Sequence, residues 1–352
     1  MVMKLKRLAV GMFMFIFGVL LIIFSDSVRQ GVQTGITLCL NTVIPSLFLF
    51  TTLALILIKS GLAKGLGNLI EPFSSAIFGL TGEQFAVMLT SFVSGYPVGA
   101  GLISELFKTN RITKRKATMM LSFCVSAGPG FIVVTVGEAM LGSRNDGYRL
   151  LIAHTVSALI IAIISRFFYK KTADVKTIQE VSVEPHSLSE MFTDSVYSAA
   201  KSMLSVSAFV VVFSGLGSIF AVALKTFPLF SKIFRACLEV TAGIGFFGRK
   251  QLPIIAFFLG FGGISVHFQV LSNAKVLNCP YSFLFLSRII HGLLSLSFCL
   301  LMELISPRVL STGATSELPT VGLHGSPISG AALLFMGMVL IYFCSNPQTK
   351  KG

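Results

Sequence analysis

The feature that most limits this chain is a series of apolar runs, each near the length a helix needs to cross a bilayer. Segments 8–24, 44–58, 119–140, 150–168, 203–224, 281–304 and 328–343 carry few charges. A hydrocarbon core about 30 Å thick is crossed by about 20 residues of helix. Lipid offers no partner to backbone N–H and C=O groups, so a crossing segment must satisfy them within the protein. Composition agrees: 54% of the 352 residues are hydrophobic and only 12% are charged, against roughly a quarter charged in soluble domains. The predicted fold class is all-α, a polytopic helical membrane protein with about eight to ten membrane segments.

The net charge of +14 does not point to nucleic acid. The basic residues sit in short clusters between apolar runs: Lys4, Lys6 and Arg7; Lys108, Arg111, Lys114, Arg115 and Lys116; Arg166, Lys170 and Lys171. That is the placement the positive-inside rule describes, and no nucleic-acid-binding motif accompanies them. The expected topology puts the N-terminus, the 108–116 cluster, the linker after 168 and the tail with Lys350 and Lys351 on the inside. The first run follows basic residues like a signal peptide, but 25–29 offers no small-residue cleavage site, so it reads as a retained signal anchor.

A polar stretch at 169–190, with Asp174, Glu180, Glu184 and Pro185, divides the chain. The expected organisation is an anchor and connector at 1–35, a first repeat at 36–168, the linker at 169–190, a second repeat at 191–305, and a loop, last helix and basic tail at 306–352.

Three apolar stretches are interrupted where the membrane should be deepest. Segment 85–107 is broken at Ser94-Gly95-Tyr96-Pro97-Val98-Gly99-Ala100, segment 119–140 at Ser126-Ala127-Gly128-Pro129-Gly130, and segment 252–274 at Gly260-Phe261-Gly262-Gly263-Ile264-Ser265. Irregular backbone at that depth is tolerated only where protein buries it or water reaches it. The first and third are expected to be re-entrant hairpins. They also correspond in position: Glu71 precedes Ser94 by the separation at which Glu239 precedes Gly262, and Gly95 then meets Gly263, Val98 meets Val266, and Ser104 meets Ser272. Paired interruptions of this kind point to a transporter built from structural repeats. Inverted or parallel repeats are both compatible, depending on whether 62–80 and 230–247 cross fully.

A half-helix starting near Val98 or Val266 presents unpaired N–H groups and a partial positive charge, which favours an anion such as a carboxylate. The hydroxyls of Ser94, Tyr96, Ser126 and Ser265, with His267 and Gln269, add directional hydrogen bonds. The candidate substrate site is therefore Ser94, Gly95, Tyr96, Pro97, Gly99, Ser126, Gly128, Gly262, Gly263, Ser265, His267 and Gln269. The competing account is that Gly95, Gly99 and Gly128 serve close helix packing, and that His267 is a neutral ring bonded to a freed carbonyl. Glu71 and Glu239 stand in apolar surroundings and are candidates for coupling or substrate binding, or else for an interfacial position beside Pro72 and Arg235. Arg288 and His291 share one helix face, and Asn41 with Pro45 suggests a kinked or broken entry to the second span.

Neither a metal site nor a cofactor is expected. Cys39, Cys124, Cys237, Cys279, Cys299 and Cys344 form no C-x-x-C pair and read as small packing residues. G-x-S-x-G, H-E-x-x-H and P-loop patterns are absent, so catalysis is not expected. Gly243, Gly245 and Gly248 match the letters of a dinucleotide fingerprint, but in an apolar segment rather than at a strand-to-helix turn.

In S-G-Y-P-V-G-A at 94–100, the basic helix start after it, S-A-G-P-G at 126–130 and G-F-G-G-I-S-V-H-F-Q at 260–269, the chain resembles the YlbJ family, also called SpoVV. These are sporulation integral membrane proteins with nucleoside-recognition gate segments. The resemblance runs from the first span to about Glu303. It implies a site in the outer forespore membrane and passage of dipicolinic acid, a planar dianion, with gate segments similar to those of concentrative nucleoside transporters. Expected partners are a small anionic solute and the lipid bilayer, with a second copy of the chain or other sporulation membrane proteins beside them. The alternatives are a nucleoside or nucleobase transporter and a non-transporting component of a membrane complex.

Overall fold

The computed structural model describes residues 2–60, 62–168 and 187–307. The predicted span at 328–343 and the linker over 169–186 lie outside the described residues. Every regular element among the described residues is a helix, as the apolar runs require. Five helical stretches are long and apolar enough to cross a membrane, or six if one bent pair counts as a span. The eight to ten segments expected from sequence include shorter apolar helices such as Gly130–Met140, which fall below that length.

The N-terminal helix α1 (Val2–Ile23) leads into α2 (Ser25–Leu38). A π-helical turn at Cys39–Val43 joins α2 to α3 (Ile44–Lys59), so that 25–57 is one continuous span. Pro45 cannot donate a backbone hydrogen bond, and a wide turn just ahead of it accommodates the missing donor. The kinked or broken entry expected at Asn41 and Pro45 is instead a continuous helix with this π-helical turn in it. Helix α2 packs on α9 (Leu188–Ala223) through small residues. A Cβ on Gly31 would lie 2.7 Å from the Ser214 carbonyl oxygen, and one on Gly35 3.0 Å from Val211 Cα, the close approach by which membrane helices associate.

Helix α9 begins fifteen residues before the apolar run at 203. Ser187 and Glu190 form a reciprocal capping box, and the polar turns carrying Glu190, Asp194 and Lys201 extend the helix beyond its apolar part. Its 36 residues span about 54 Å, more than a bilayer core needs. The linker expected to reach 190 therefore gives way to helix at 188.

Helices α4 (Leu62–Phe78) and α5 (Gly82–Ser94) meet at a bend of 81°. Gly79 takes a left-handed φ of +63° there, and a capping box between Thr81 and Gln84 restarts the chain. After Gly95 come α6 (Tyr96–Lys108) and α7 (Lys114–Cys124), then the extended residues 125–129, a π-helical segment Gly130–Met140 and α8 (Arg144–Phe168). The second half has α10 (Pro228–Leu238), the short α11 (Val240–Ile244), α12 (Leu252–Phe261), α13 (Gly263–Asn273) and α14 (Tyr281–Ile305).

One sequence expectation needs correction. Helices α12 and α13 are not a re-entrant hairpin: 249–273 is a single 25-residue span interrupted at Gly262. The sharp bend among the described gate segments lies between α4 and α5, ahead of the break at Gly95. The physical cause is local, because Gly262 and Gly263 absorb the interruption in two residues of positive φ without the polar turn that residues 79–81 supply.

Polarity is distributed inside out. Leu49, Leu69, Ile152, Leu204, Leu293 and Leu304 are exposed, whereas Thr135, His154, Ser157, His267, Arg288, His291 and Ser295 have no exposed surface. In water that pattern would be costly; in a bilayer, apolar side chains face lipid and polar ones pair within the bundle.

Candidate functional site

Three breaks in the helices and one wall of α9 line a partly open cavity of ≈490 Å³, counting the space at its mouth. From the first half come Ser94, Gly95, Tyr96 and Pro97 at the α5/α6 break, Ala127, Gly128 and Phe131 at the α7 break, and Val43 and Leu47 beside the π-helical turn. From the second half come Glu239, Val240 and Thr241 at the α10/α11 break and Val266 and Gln269 on α13, with Met203, Val206 and Val210 of α9 opposite. Most of the wall is apolar with a few polar groups, the usual character of a small-molecule site.

The first break is built by glycine. Gly95 has φ +91° and ψ 177°, a backbone conformation open essentially to glycine alone. It closes α5 and opens α6, whose first turn receives no side-chain cap. Ser94, although on the cavity wall, donates its hydroxyl to the Thr90 carbonyl at 2.7 Å. Gly128 brings the 125–129 strand of backbone against α5, since a Cβ there would lie 2.6 Å from the Val93 carbonyl oxygen. Gly99 does not reach the cavity. It packs against α7, where a Cβ would lie 2.5 Å from the Cys124 carbonyl oxygen, so for this glycine close packing is the correct account.

The second break is closed. Helix α12 ends at Gly262, φ +84°, which leaves its last carbonyls without helical partners. The Tyr96 hydroxyl donates to the Leu259 carbonyl at 2.6 Å, and His267 Nε2 donates to the Phe261 carbonyl at 3.0 Å. Gly262, Gly263, Ser265 and His267 do not line the cavity, and Ser265 accepts from Gln269 Nε2 at 3.3 Å. The neutral-histidine account thus describes His267. A further bond, from the Ser104 hydroxyl to the Asn273 carbonyl at 2.9 Å, ties α6 to α13.

The two glutamates part company. Glu239 is 2% exposed and lines the cavity, its carboxylate accepting from Thr241 N at 3.0 Å and Ala242 N at 2.5 Å. It caps the N-terminal end of α11, where a negative charge is favourable. Glu71 lies outside the cavity and accepts from Gly82 N, the first residue of α5, at 3.2 Å. Both glutamates are helix caps, but only one faces the cavity.

Behind the 125–129 backbone lies a buried polar chain. The Arg288 guanidinium, 0% exposed, donates to the Ser122 and Val125 carbonyls at the end of α7. It also donates to His291 Nδ1 at 3.1 Å, and His291 Nε2 donates to the His154 carbonyl at 3.0 Å. The backbone N–H of Ala127 donates to His154 Nε2 at 3.0 Å, which makes that nitrogen an acceptor, and the Ser126 hydroxyl meets it at 2.9 Å. The two imidazoles stack with ring centres 4.4 Å apart. Arg288 therefore caps α7, while His154 holds the backbone that forms one cavity wall. Ser126 belongs to this support and not to the cavity. His154 was missed by the sequence reading, although an ionisable residue in the middle of an apolar span is a sufficient signal.

Comparison with known proteins follows the same division. The family model described as Gate, nucleoside recognition, matches residues 40–142, which carry the 94–97 and 127–131 walls but not Glu239 or Gln269. The sporulation integral membrane protein YlbJ of Bacillus subtilis (strain 168) is 26% identical over 343 residues, covering 85% of this chain and 83% of the relative. No solved structure matches. The likeness to YlbJ read from the motifs thus extends across most of the chain, and the chain is an integral membrane protein similar to a sporulation protein.

Proposed function

We propose that this chain is a transporter of the sporulating cell that carries dipicolinic acid, a small planar dicarboxylate, across the outer forespore membrane. The observation that carries the reading is the cavity between the α5/α6 and α10/α11 breaks, with the uncapped first turn of α6 on its wall. Unpaired N–H groups at a helix start attract a carboxylate, and the flat apolar walls from Val206, Val240 and Phe131 suit an aromatic ring. The assignment to dipicolinate rests on the resemblance to YlbJ together with this chemistry. Alternating access would come from movement of the elements around the cavity. Because Tyr96 and Ser104 tie α6 to the second half, α6 travels with α12 and α13 in this mechanism.

A second reading is favoured by Glu239 and Gln269. A carboxylate and an amide on the cavity wall suit the hydroxyl and N–H donors of a nucleoside, the solute named by the gate family model, better than they suit a dianion. Uptake into liposomes containing the full chain separates the two. In the first reading dipicolinate enters saturably, uridine does not compete, and Glu239→Gln preserves or raises uptake by relieving charge repulsion. In the second, uridine enters and competes, and Glu239→Gln lowers its uptake about tenfold or more, as expected when a hydrogen-bonding partner to the solute is lost. Protein that is folded and inserted but passes neither solute is a component of a membrane complex instead.

A further inference from the structure

Lys116, Asp146, Glu239 and Arg288 are the charged side chains buried among the described residues. A buried charge is costly unless a partner balances it. Asp146 has such a partner in Arg249, at 2.7 Å, and Lys116 donates to the Gly79 carbonyl at 2.6 Å, at the end of α4. Arg288 and Glu239 are left, and among the described residues neither forms an ion pair. Arg288 donates only to neutral acceptors, the Ser122 and Val125 carbonyls and His291 Nδ1. Its Nε is buried with no hydrogen-bond partner among the described residues.

Capping α7 explains these bonds but not the charge. The C-terminal end of a helix carries about half a negative charge, which offsets only part of a guanidinium that stays protonated in proteins. The remainder sits close behind the cavity. Val125, whose carbonyl accepts from Arg288, is two residues before Ala127 on the cavity wall, a reach of about 7 Å along the chain. His154, stacked on the His291 ring that Arg288 holds, accepts from the Ala127 N–H itself. Tyr96, also on the wall, lies within electrostatic reach of both Arg288 and Glu239. The cavity thus has two poles. Arg288 and the uncapped first turn of α6 make the positive one, and Glu239 at the α10/α11 break makes the negative one. Half a unit charge acting over about 7 Å at an effective dielectric constant of about 20 changes the affinity of an anion by about tenfold.

We infer that Arg288 is the specificity-determining charge of this cavity: without touching the solute, it favours a small carboxylate over a neutral molecule of the same shape. The inference rests on the cavity being the solute site proposed above, and it holds for any small carboxylate there, dipicolinate included. Glu239 opposes it, so the charge behind the wall is what lets an anion share the space with a glutamate.

Titration calorimetry on the full chain in neutral detergent tests this with two shape-matched pairs, dipicolinate with pyridine-2,6-dicarboxamide and benzoate with benzamide. The readout is the ratio of affinities within a pair, because both members share any loss from a displaced wall and only the carboxylate feels the charge. The parent is expected to prefer the carboxylate, and Arg288→Gln to lower that preference about tenfold. Arg288→Lys keeps the charge but not the fork that bonds two carbonyls, so it should keep the preference even where it weakens both members. Should Arg288→Gln yield no folded protein, the lysine variant decides. A parent without preference in either pair, a folded Arg288→Gln protein that keeps it, or an Arg288→Lys protein that loses it overturns the inference. A preference within the benzoate pair that depends on Arg288, with no binding of dipicolinate, supports the inference and removes the dipicolinate reading. Dipicolinate binding whose preference survives Arg288→Gln does the reverse.

Discussion

The two glycine breaks, at Gly95 and at Gly262, look alike in sequence and differ in use. Both glycines have positive φ and both separate one helix from the next. At Gly95 the residues on either side face the cavity, and α6 starts without a side-chain cap. At Gly262 the freed carbonyls are taken by Tyr96 and His267, and the glycines are packed away from the cavity. The second half instead reaches the cavity through Glu239 to Thr241, at a break the paired motifs did not mark. A broken helix in a membrane is therefore a question about where its unpaired backbone groups go. One break answers with a cavity and the other with side chains.

The strongest way to disturb this comparison is to remove the support behind the open break. Arg288→Met leaves the Ser122 and Val125 carbonyls and His291 Nδ1 without their donor. Each unpaired buried group costs about 1–3 kcal/mol, so the variant should lose about 3–5 kcal/mol, read as a large fall in melting temperature or failure to recover folded protein. An Arg288→Met protein that melts with the parent would mean that the α7 end is satisfied otherwise.

Alanine at the two glycines sharpens the contrast. Gly95→Ala meets open space, its Cβ 3.8 Å from Gly128 N, but the backbone conformation itself costs about 1–3 kcal/mol. Relief of that strain would shift the cavity wall, so solute uptake should fall severalfold. Gly262→Ala pays a smaller left-handed penalty of about 1 kcal/mol and presses on Val266 at 3.2 Å. It should lower stability while leaving the solute concentration for half-maximal uptake within about twofold. Equal effects of both on uptake would show that the breaks are functionally equivalent.

Tyr96→Phe comes next in size. The ring lines the cavity but the hydroxyl is committed to Leu259, so its loss is expected to cost about 1–2 kcal/mol of stability with little change in apparent affinity for solute. A large rise in that concentration without loss of stability would put the hydroxyl on the solute instead. The smallest effect is expected from Glu71→Gln. It weakens one partly buried cap of α5, worth about 0.5–1 kcal/mol, and uptake should not change. A clear loss of uptake in Glu71→Gln would restore the symmetry between the two glutamates that the structure lacks.

Part of the cavity wall was legible beforehand. Ser94, Gly95, Tyr96, Pro97, Gly128, Gln269 and Glu239 were expected at a shared site, and the cavity gathers them. Arg288 and His291, expected to project together, are buried and bonded to each other. Gly99, Ser126, Gly262, Gly263, Ser265, His267 and Glu71 were expected with them and instead hold helices together or cap them. Thr241 and the α9 wall were not anticipated, because nothing in an apolar run of valines and methionines says which face turns toward a cavity.

By itself the sequence determined the solvent of this protein, its all-helical class and the places where its helices break. Those follow from run length, charge placement and the conformations open to glycine and proline, all local properties of the chain. Which break stays open was decided only by tertiary structure. The Leu259 carbonyl is satisfied by a tyrosine 163 positions away, and the α7 carbonyls by an arginine 163 and 166 positions away. A hydrogen bond across that separation leaves no trace in local pattern, so the chain must fold before an unpaired group is known to face a partner or an enclosed space.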